Sequence, residues 1–148
     1  MKVMFVCTGN ICRSPMAEAI FKDLVKDAEV SSSGISALTG ERASFNAIAV
    51  CKENGLELSD HRSTHIFDSD IEKMDLILTA TDNHSYVLKK QYPQLNIYTI
   101  KEYAGDKNLN IADPYGGSLH DYEVCFSEIK EALEKICESK PEFENVKI

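Results

Sequence analysis

Residues 2–6, KVMFV, are rich in β-branched and aromatic side chains and are apolar on both faces from Val3 onward. A strand of that kind suits the centre of a parallel sheet, where both of its faces are covered. The segment after the next loop is helical in pattern. In residues 14–28, Met16, Ile20 and Leu24 share one face, with Ala17, Phe21 and Ala28 beside them. Ser14 is the expected N-cap, and Pro15 suits the first helical position.

The alternation continues along the chain. Residues 29–33, EVSSS, form a weak second strand, and Gly34 begins a loop. Residues 41–55, ERASFNAIAVCKENG, predict a helix with Ala43, Ala47 and Val50 inward and Gly55 as its stop. DLILTAT (75–81) is a buried strand, residues 82–93 a short helix ended by Pro93, and LNIYTI (95–100) a further strand. After a long loop comes the clearest periodicity, with Leu119, Tyr122, Phe126, Ile129, Leu133 and Ile136 as expected core positions. The expected fold is α/β: one domain over residues 1–148, a three-layer doubly wound sheet of four parallel strands in the order 2-1-3-4, with helices on both faces. Such sheets bind ligands beyond the carboxyl ends of their strands, where the first strand delivers residues 7–14.

Composition narrows the function. The net charge of −8 argues against nucleic acid as a partner, because such binding needs many Lys and Arg contacts to phosphates. No stretch approaches the ~18 apolar residues of a membrane span, and the N-terminus lacks a leader pattern, so a cytoplasmic protein with no membrane partner is expected. The cysteines at 7, 12, 51, 125 and 137 form an odd set without a regular framework and are expected to be reduced. A special cysteine should then be special for its reactivity.

Residues 7–15, CTGNICRSP, hold the chemistry. A loop that runs from a strand into a helix N-terminus aims several backbone N–H groups at one spot, and the helix dipole adds about half a positive charge there. Gly9 is expected to supply the positive φ of a tight nest, and Asn10 tolerates left-handed geometry. The Walker lysine and the dinucleotide G-x-G-x-x-G are both missing. Arg13 takes the cation's place, with a fork that binds two phosphate oxygens. The same amides and Arg13 would stabilise a thiolate at Cys7, a nucleophile beneath a phosphate-shaped cradle. A bare C-x5-R is common by chance; its position between a strand and a Ser-Pro helix start carries the inference. In isolation Cys7 reads as a buried strand-end cysteine and Arg13 as a surface cation.

A phosphocysteine reaction needs a group that protonates the leaving oxygen and then activates water. Asp113, in ADPYGG, emerges from the long loop at the sheet's carboxyl end, although Asp-Pro with Gly-Gly also reads simply as a turn. Tyr115 is a candidate aromatic wall for a flat substrate, or an ordinary turn tyrosine.

VCTGNICRSPMAE and DPYGG together resemble the low-molecular-weight protein tyrosine phosphatases over essentially the whole chain. The resemblance implies Cys7 as nucleophile, Arg13 as phosphate clamp and Asp113 as general acid then base. It also implies a cradle of Thr8, Gly9, Asn10, Ile11, Cys12, Arg13 and Ser14, with Ser14 hydrogen-bonded to the Cys7 sulfur. Ser32 and His61 match the serine and histidine that brace the loop asparagine. Cys12 matches a second loop cysteine able to form a reversible disulfide with an oxidised Cys7. The implied partner is a phosphorylated protein, the product inorganic phosphate, and no metal or other cofactor is called for.

DPYGGS and the layout from KEY onward also resemble the bacterial protein-arginine phosphatases, which are similar in having a threonine where this chain has Ile11. An isoleucine wall favours the phenyl ring of phosphotyrosine over a guanidinium. Three other readings fit less well. Arsenate reductase needs two further cysteines near the loop, whereas Cys51, Cys125 and Cys137 lie in expected helices. A zinc site on Cys7, Cys12, His61 and His65 has a long gap between its pairs and would sit against Arg13. A phosphoprotein-binding module would require neither Cys7 nor Asp113.

Overall fold

The opening strand runs Lys2–Cys7 (β1), and its side chains divide between two cores. Val3 and Phe5 face one, Met4 and Val6 the other, and none is more than 2% exposed. This is the two-sided burial of a central strand. The computed structural model describes residues 1–146. Around β1 stand β2 (Glu29–Gly34), β3 (Leu76–Thr79) and β4 (Ile97–Thr99), in one parallel sheet of order β2-β1-β3-β4, as the alternation predicts.

Among the described residues five α-helices accompany the sheet: α1 (Arg13–Leu24), α2 (Phe45–Glu53), α3 (Asp82–Gln91), α4 (Ile100–Tyr103) and α5 (Leu119–Ser139). On one face Met16 and Phe21 of α1, Val50 of α2, and Ile129 and Leu133 of α5 pack with Val3 and Phe5. The other face is covered by Leu88 of α3 and by Ile66 and Ile71 from two short 3-10 turns. Each large side chain fully buried in this way contributes about 1.5–3 kcal/mol of transfer free energy, so the α1/α5 side carries more of the stability. Phe5, Phe21 and Phe143 stack edge to face there, with ring centroids 5.5 and 5.2 Å apart.

Several boundaries differ from the sequence reading. α1 starts at Arg13 with Cys12 at the cap position, so Ser14 does not cap it, and Pro15 is its third residue. The helix ends at Leu24, which leaves Ala28 outside it. Residues 41–44 are not helical: Arg42 bridges to Arg62, and Ala43 is buried from the loop. Gly55 has φ 76°, the left-handed geometry expected of a helix stop. β4 gives way at Ile100 to α4, whose Thr99–Glu102 capping box starts in the last two residues of the expected strand and ends in the expected loop. Leu119, the first residue of α5, is 38% exposed rather than core.

Candidate active site

β1 ends at Cys7, 3% exposed, with Gly34 of β2 directly beside it. The chain then turns over five residues into α1 and returns Arg13 to the same place. The turn depends on a left-handed residue, and that residue is Asn10, φ 57°, while Gly9 does not have positive φ. A Cβ on Gly9 would meet only Ile11 Cγ1, at 3.7 Å. The glycine that the turn cannot spare is Gly34: a Cβ there would stand 2.5 Å from Thr8 O and 3.0 Å from Asn10 N. β2 therefore has to be bare where the loop crosses it.

Asn10 is fully buried and holds the turn together. Its N–H points at Cys7 Sγ at 3.3 Å, and its side-chain amide donates to Ser14 Oγ (2.8 Å) and Ser32 Oγ (2.9 Å). Its Oδ1 accepts from the Thr64 N–H at 2.9 Å, and its carbonyl from His61 Nε2 at 2.8 Å. Ser32 in turn donates to Glu18 Oε1 at 2.6 Å. Ser32 and His61 thus stand where the resemblance put them, and Glu18 and Thr64 are partners that the sequence did not announce. Ser14 Oγ lies 2.9 Å from Cys7 Sγ, so its position inside α1 turns it toward the sulfur.

Arg13 is 5% exposed, and its Nη1 donates to the Ile111 carbonyl at 2.8 Å. That carbonyl is itself placed by a bond from Ile111 N–H to Ala80 O at the end of β3. The second guanidinium nitrogen lies 3.7 Å from Asp113 Oδ2, and Asp113 Oδ1 accepts from the Tyr115 N–H at 3.0 Å. The Asp113 side chain remains 49% exposed, open to water on the far side. Cys7, Thr8, Gly9, Ile11, Cys12, Arg13, Asp113 and Tyr115 line one cavity of about 200 Å³. Tyr115, 68% exposed, stands at its mouth, and Ile11 is half-buried with its carbonyl tied to the Ser44 N–H at 2.8 Å.

Cys12 lies under the loop, with Sγ 3.3 Å from Tyr122 OH and 3.4 Å from Ser44 Oγ. Burial pushes its thiol up from the ordinary cysteine value, and the hydrogen bonds to Ser44 and Tyr122 only partly oppose that. Burial also pushes Tyr122 up to about 12, so the pair stays neutral across the physiological range. In place of the zinc reading that fitted less well, His61 is committed to Asn10, and His65 Nδ1 accepts from the Phe67 N–H at 3.0 Å. Among the described residues no group of three His, Cys, Asp or Glu is placed to hold a metal ion. One contact that sequence reasoning missed is His84 on α3, whose Nε2 lies 2.9 Å from Thr8 Oγ1.

A buried cysteine and arginine joined by a five-residue nest, with a carboxylate over the mouth, is the equipment of a phosphate-ester hydrolase. Comparison with known proteins agrees. The family model described as low molecular weight phosphotyrosine protein phosphatase matches residues 2–145. The protein-tyrosine-phosphatase PtpB of Staphylococcus epidermidis is 38% identical over 138 residues, which are 92% of this chain and 96% of that protein. The protein-arginine-phosphatase of Geobacillus stearothermophilus is 33% identical over 93% of this chain and 94% of its own. Among solved structures, a YwlE arginine phosphatase C7S mutant with a phosphorylated active-site serine superposes with a TM-score of 0.89. It is 30% identical and covers 97% of this chain and 99% of its own. The chain belongs to the low-molecular-weight protein tyrosine phosphatase family, whose members hydrolyse phosphate monoesters.

Proposed function

We propose that the protein dephosphorylates phosphotyrosine in protein substrates through a phosphocysteine on Cys7. The Cys7 thiolate, favoured by the Asn10 N–H and the Ser14 hydroxyl, attacks phosphorus in line with the departing oxygen. Arg13 and the loop amides take up charge on the three equatorial oxygens, and Asp113 delivers its proton to the phenolate as the P–O bond breaks. Asp113, now ionised, takes a proton from water, whose oxygen attacks phosphorus; the new O–P bond forms as the P–S bond breaks and its electron pair returns to Cys7. Inorganic phosphate leaves, and Ser14 donates to the sulfur as the thiolate returns. Exposure of Asp113 to solvent supplies that water, and the 3.7 Å approach of Arg13 keeps the carboxyl over the pocket.

The observation that carries the phosphotyrosine reading is Ile11, which lines the same cavity as Tyr115 and offers an apolar surface to a ring. The DPYGGS loop and the arginine-phosphatase relatives support a second reading, phosphoarginine turned over by the same steps. A cytoplasmic site of action suits a nucleophile that works as a thiolate. The test is kcat/KM for a phosphotyrosine peptide and a phosphoarginine peptide, with an Ile11→Thr variant alongside. Phosphotyrosine should be preferred by at least about tenfold, a little over 1 kcal/mol of transition-state discrimination, and the variant should narrow the gap. Preference for phosphoarginine would sink the first reading, and turnover retained by Cys7→Ser would sink both.

A further inference from the structure

His84 enters none of these steps, yet it is 3% exposed and touches the phosphate loop. Its partners fix its protonation. The Thr81 N–H, which can only donate, points at Nδ1 from 3.2 Å. The Thr81 hydroxyl accepts from the His84 N–H at 3.3 Å and has its own proton to give to Nδ1, 2.9 Å away. Nδ1 is therefore the unprotonated nitrogen, and the neutral ring carries its proton on Nε2. At 2.9 Å that proton is donated to Thr8 Oγ1. The Thr8 carbonyl is held from the other side by the Ser36 N–H at 2.9 Å. With backbone and hydroxyl oxygen both fixed, the hydroxyl proton of Thr8 remains for the cavity that Thr8 lines.

We propose that His84 is a positioning residue, whose Nε2–H fixes the Thr8 hydroxyl as an additional hydrogen-bond donor to the phosphoryl oxygens held in the loop. The ligand follows from the phosphatase reading, on which this role rests, and the linkage from the contact of His84 on α3 with Thr8 in the loop after β1. The charges that act on the ring are Arg13 of α1 and Asp113 of the loop after α4; Asp82, on its own helix, is exposed. Burial and, second, Arg13 push its pKa down to about 4 against the pull of Asp113, so the neutral ring, with Nδ1 accepting from Thr81, persists through the range where a free histidine titrates. Protonation would place an N–H on Nδ1 facing the Thr81 N–H and oppose the half of the α3 capping box that the ring accepts, while Nε2 would keep its proton toward Thr8.

The experiment compares the inorganic phosphate Kd by calorimetry, with kcat and KM for p-nitrophenyl phosphate, in wild type, Thr8→Val, His84→Phe and the double variant. Each single change should weaken phosphate binding by about tenfold, the worth of one charge-assisted hydrogen bond, and the double should be no weaker than Thr8→Val alone. His84→Gln, whose amide can accept from Thr81 and donate to Thr8, should recover binding to within about threefold of wild type. Nitrogen NMR of the wild-type ring at neutral pH should show Nδ1 bare and Nε2 protonated. Additive losses in the double variant would overturn the proposal, as would unchanged phosphate affinity in Thr8→Val or a ring protonated on Nδ1. If His84→Phe fails to fold, the Thr8→Val affinity and the NMR tautomer decide. Phosphate binding without hydrolysis in the wild type would sink the phosphatase reading instead and leave this comparison standing.

Discussion

At the scale of single residues, Asn10 commits its N–H, its carbonyl, its Oδ1 and both amide protons to five separate partners. It does so from a left-handed backbone that few side chains adopt. Asn10→Ala leaves the Thr64 N–H unpaired beside a closed loop and takes the braces from Ser14 and Ser32. Such losses cost about 1–3 kcal/mol for each buried group stranded, and alanine at φ 57° adds about 1 kcal/mol more. The urea midpoint should fall accordingly, and kcat should fall with it, because Ser14 loses the amide that aims its hydroxyl at Cys7. Asn10→Gly should regain the backbone share of the stability but not the rate. Equal recovery of both would mean that Asn10 matters only for its φ.

At the scale of elements, the parts of the site that were legible in the sequence are those that one segment carries alone. Cys7 and Arg13 could be read because a strand, a loop and a helix follow one another within a few residues, whereas Ser14 read locally as a cap and its bond to the Cys7 sulfur came from resemblance. Ser32 and His61 were reached through resemblance only, since their contact with Asn10 spans 22 and 51 residues. Nothing local marked Ile111, whose carbonyl rather than side chain holds Arg13, or His84, whose place on α3 reads as an ordinary first-turn residue. Gly9 was credited with a conformation that Asn10 adopts, because both suit a tight turn and sequence cannot choose between them. Gly34 was taken only as a loop start, although the packing of β2 against the loop makes it the more constrained glycine. Gly34→Ala forces a Cβ to 2.5 Å from the Thr8 carbonyl oxygen, a backbone atom that cannot swing aside, so the loop has to move. The expected result is a loss of kcat/KM of at least about 100-fold with a stability loss of about 1–3 kcal/mol, whereas Gly9→Ala, which meets only ordinary contact, should fold as wild type does. A Gly34→Ala variant with normal kinetics would show that the loop tolerates displacement.

At the scale of the whole molecule, the groups that burial has shifted set the pH window in which the fold is most stable. His84 has its pKa depressed from 6.5 to about 4, so the folded state stays neutral where the unfolded chain takes up a proton. Its contribution is complete above about pH 6.5 and is lost as pH falls toward 4. Over that span it amounts to about 3 kcal/mol, from 1.36 kcal/mol per pKa unit. Cys51 and Cys125 are shifted the opposite way, from 9.0 to about 12 by burial, so the unfolded chain ionises first and stability falls as pH rises above 9. Both sit in the α2/α5 core, where among the described residues no hydrogen bond to the sulfur of Cys51 is seen and that of Cys125 reaches the Ala112 carbonyl at 3.8 Å. Urea midpoints measured across pH should therefore form a plateau between about 6.5 and 9 with a shoulder on each side. His84→Phe should flatten the acid side relative to wild type and leave the alkaline side unchanged, while Cys51→Ala should do the reverse at a lower plateau. An acid limb identical in wild type and His84→Phe would mean that carboxylates alone set it, and that the ring under the phosphate loop is not held neutral by the fold.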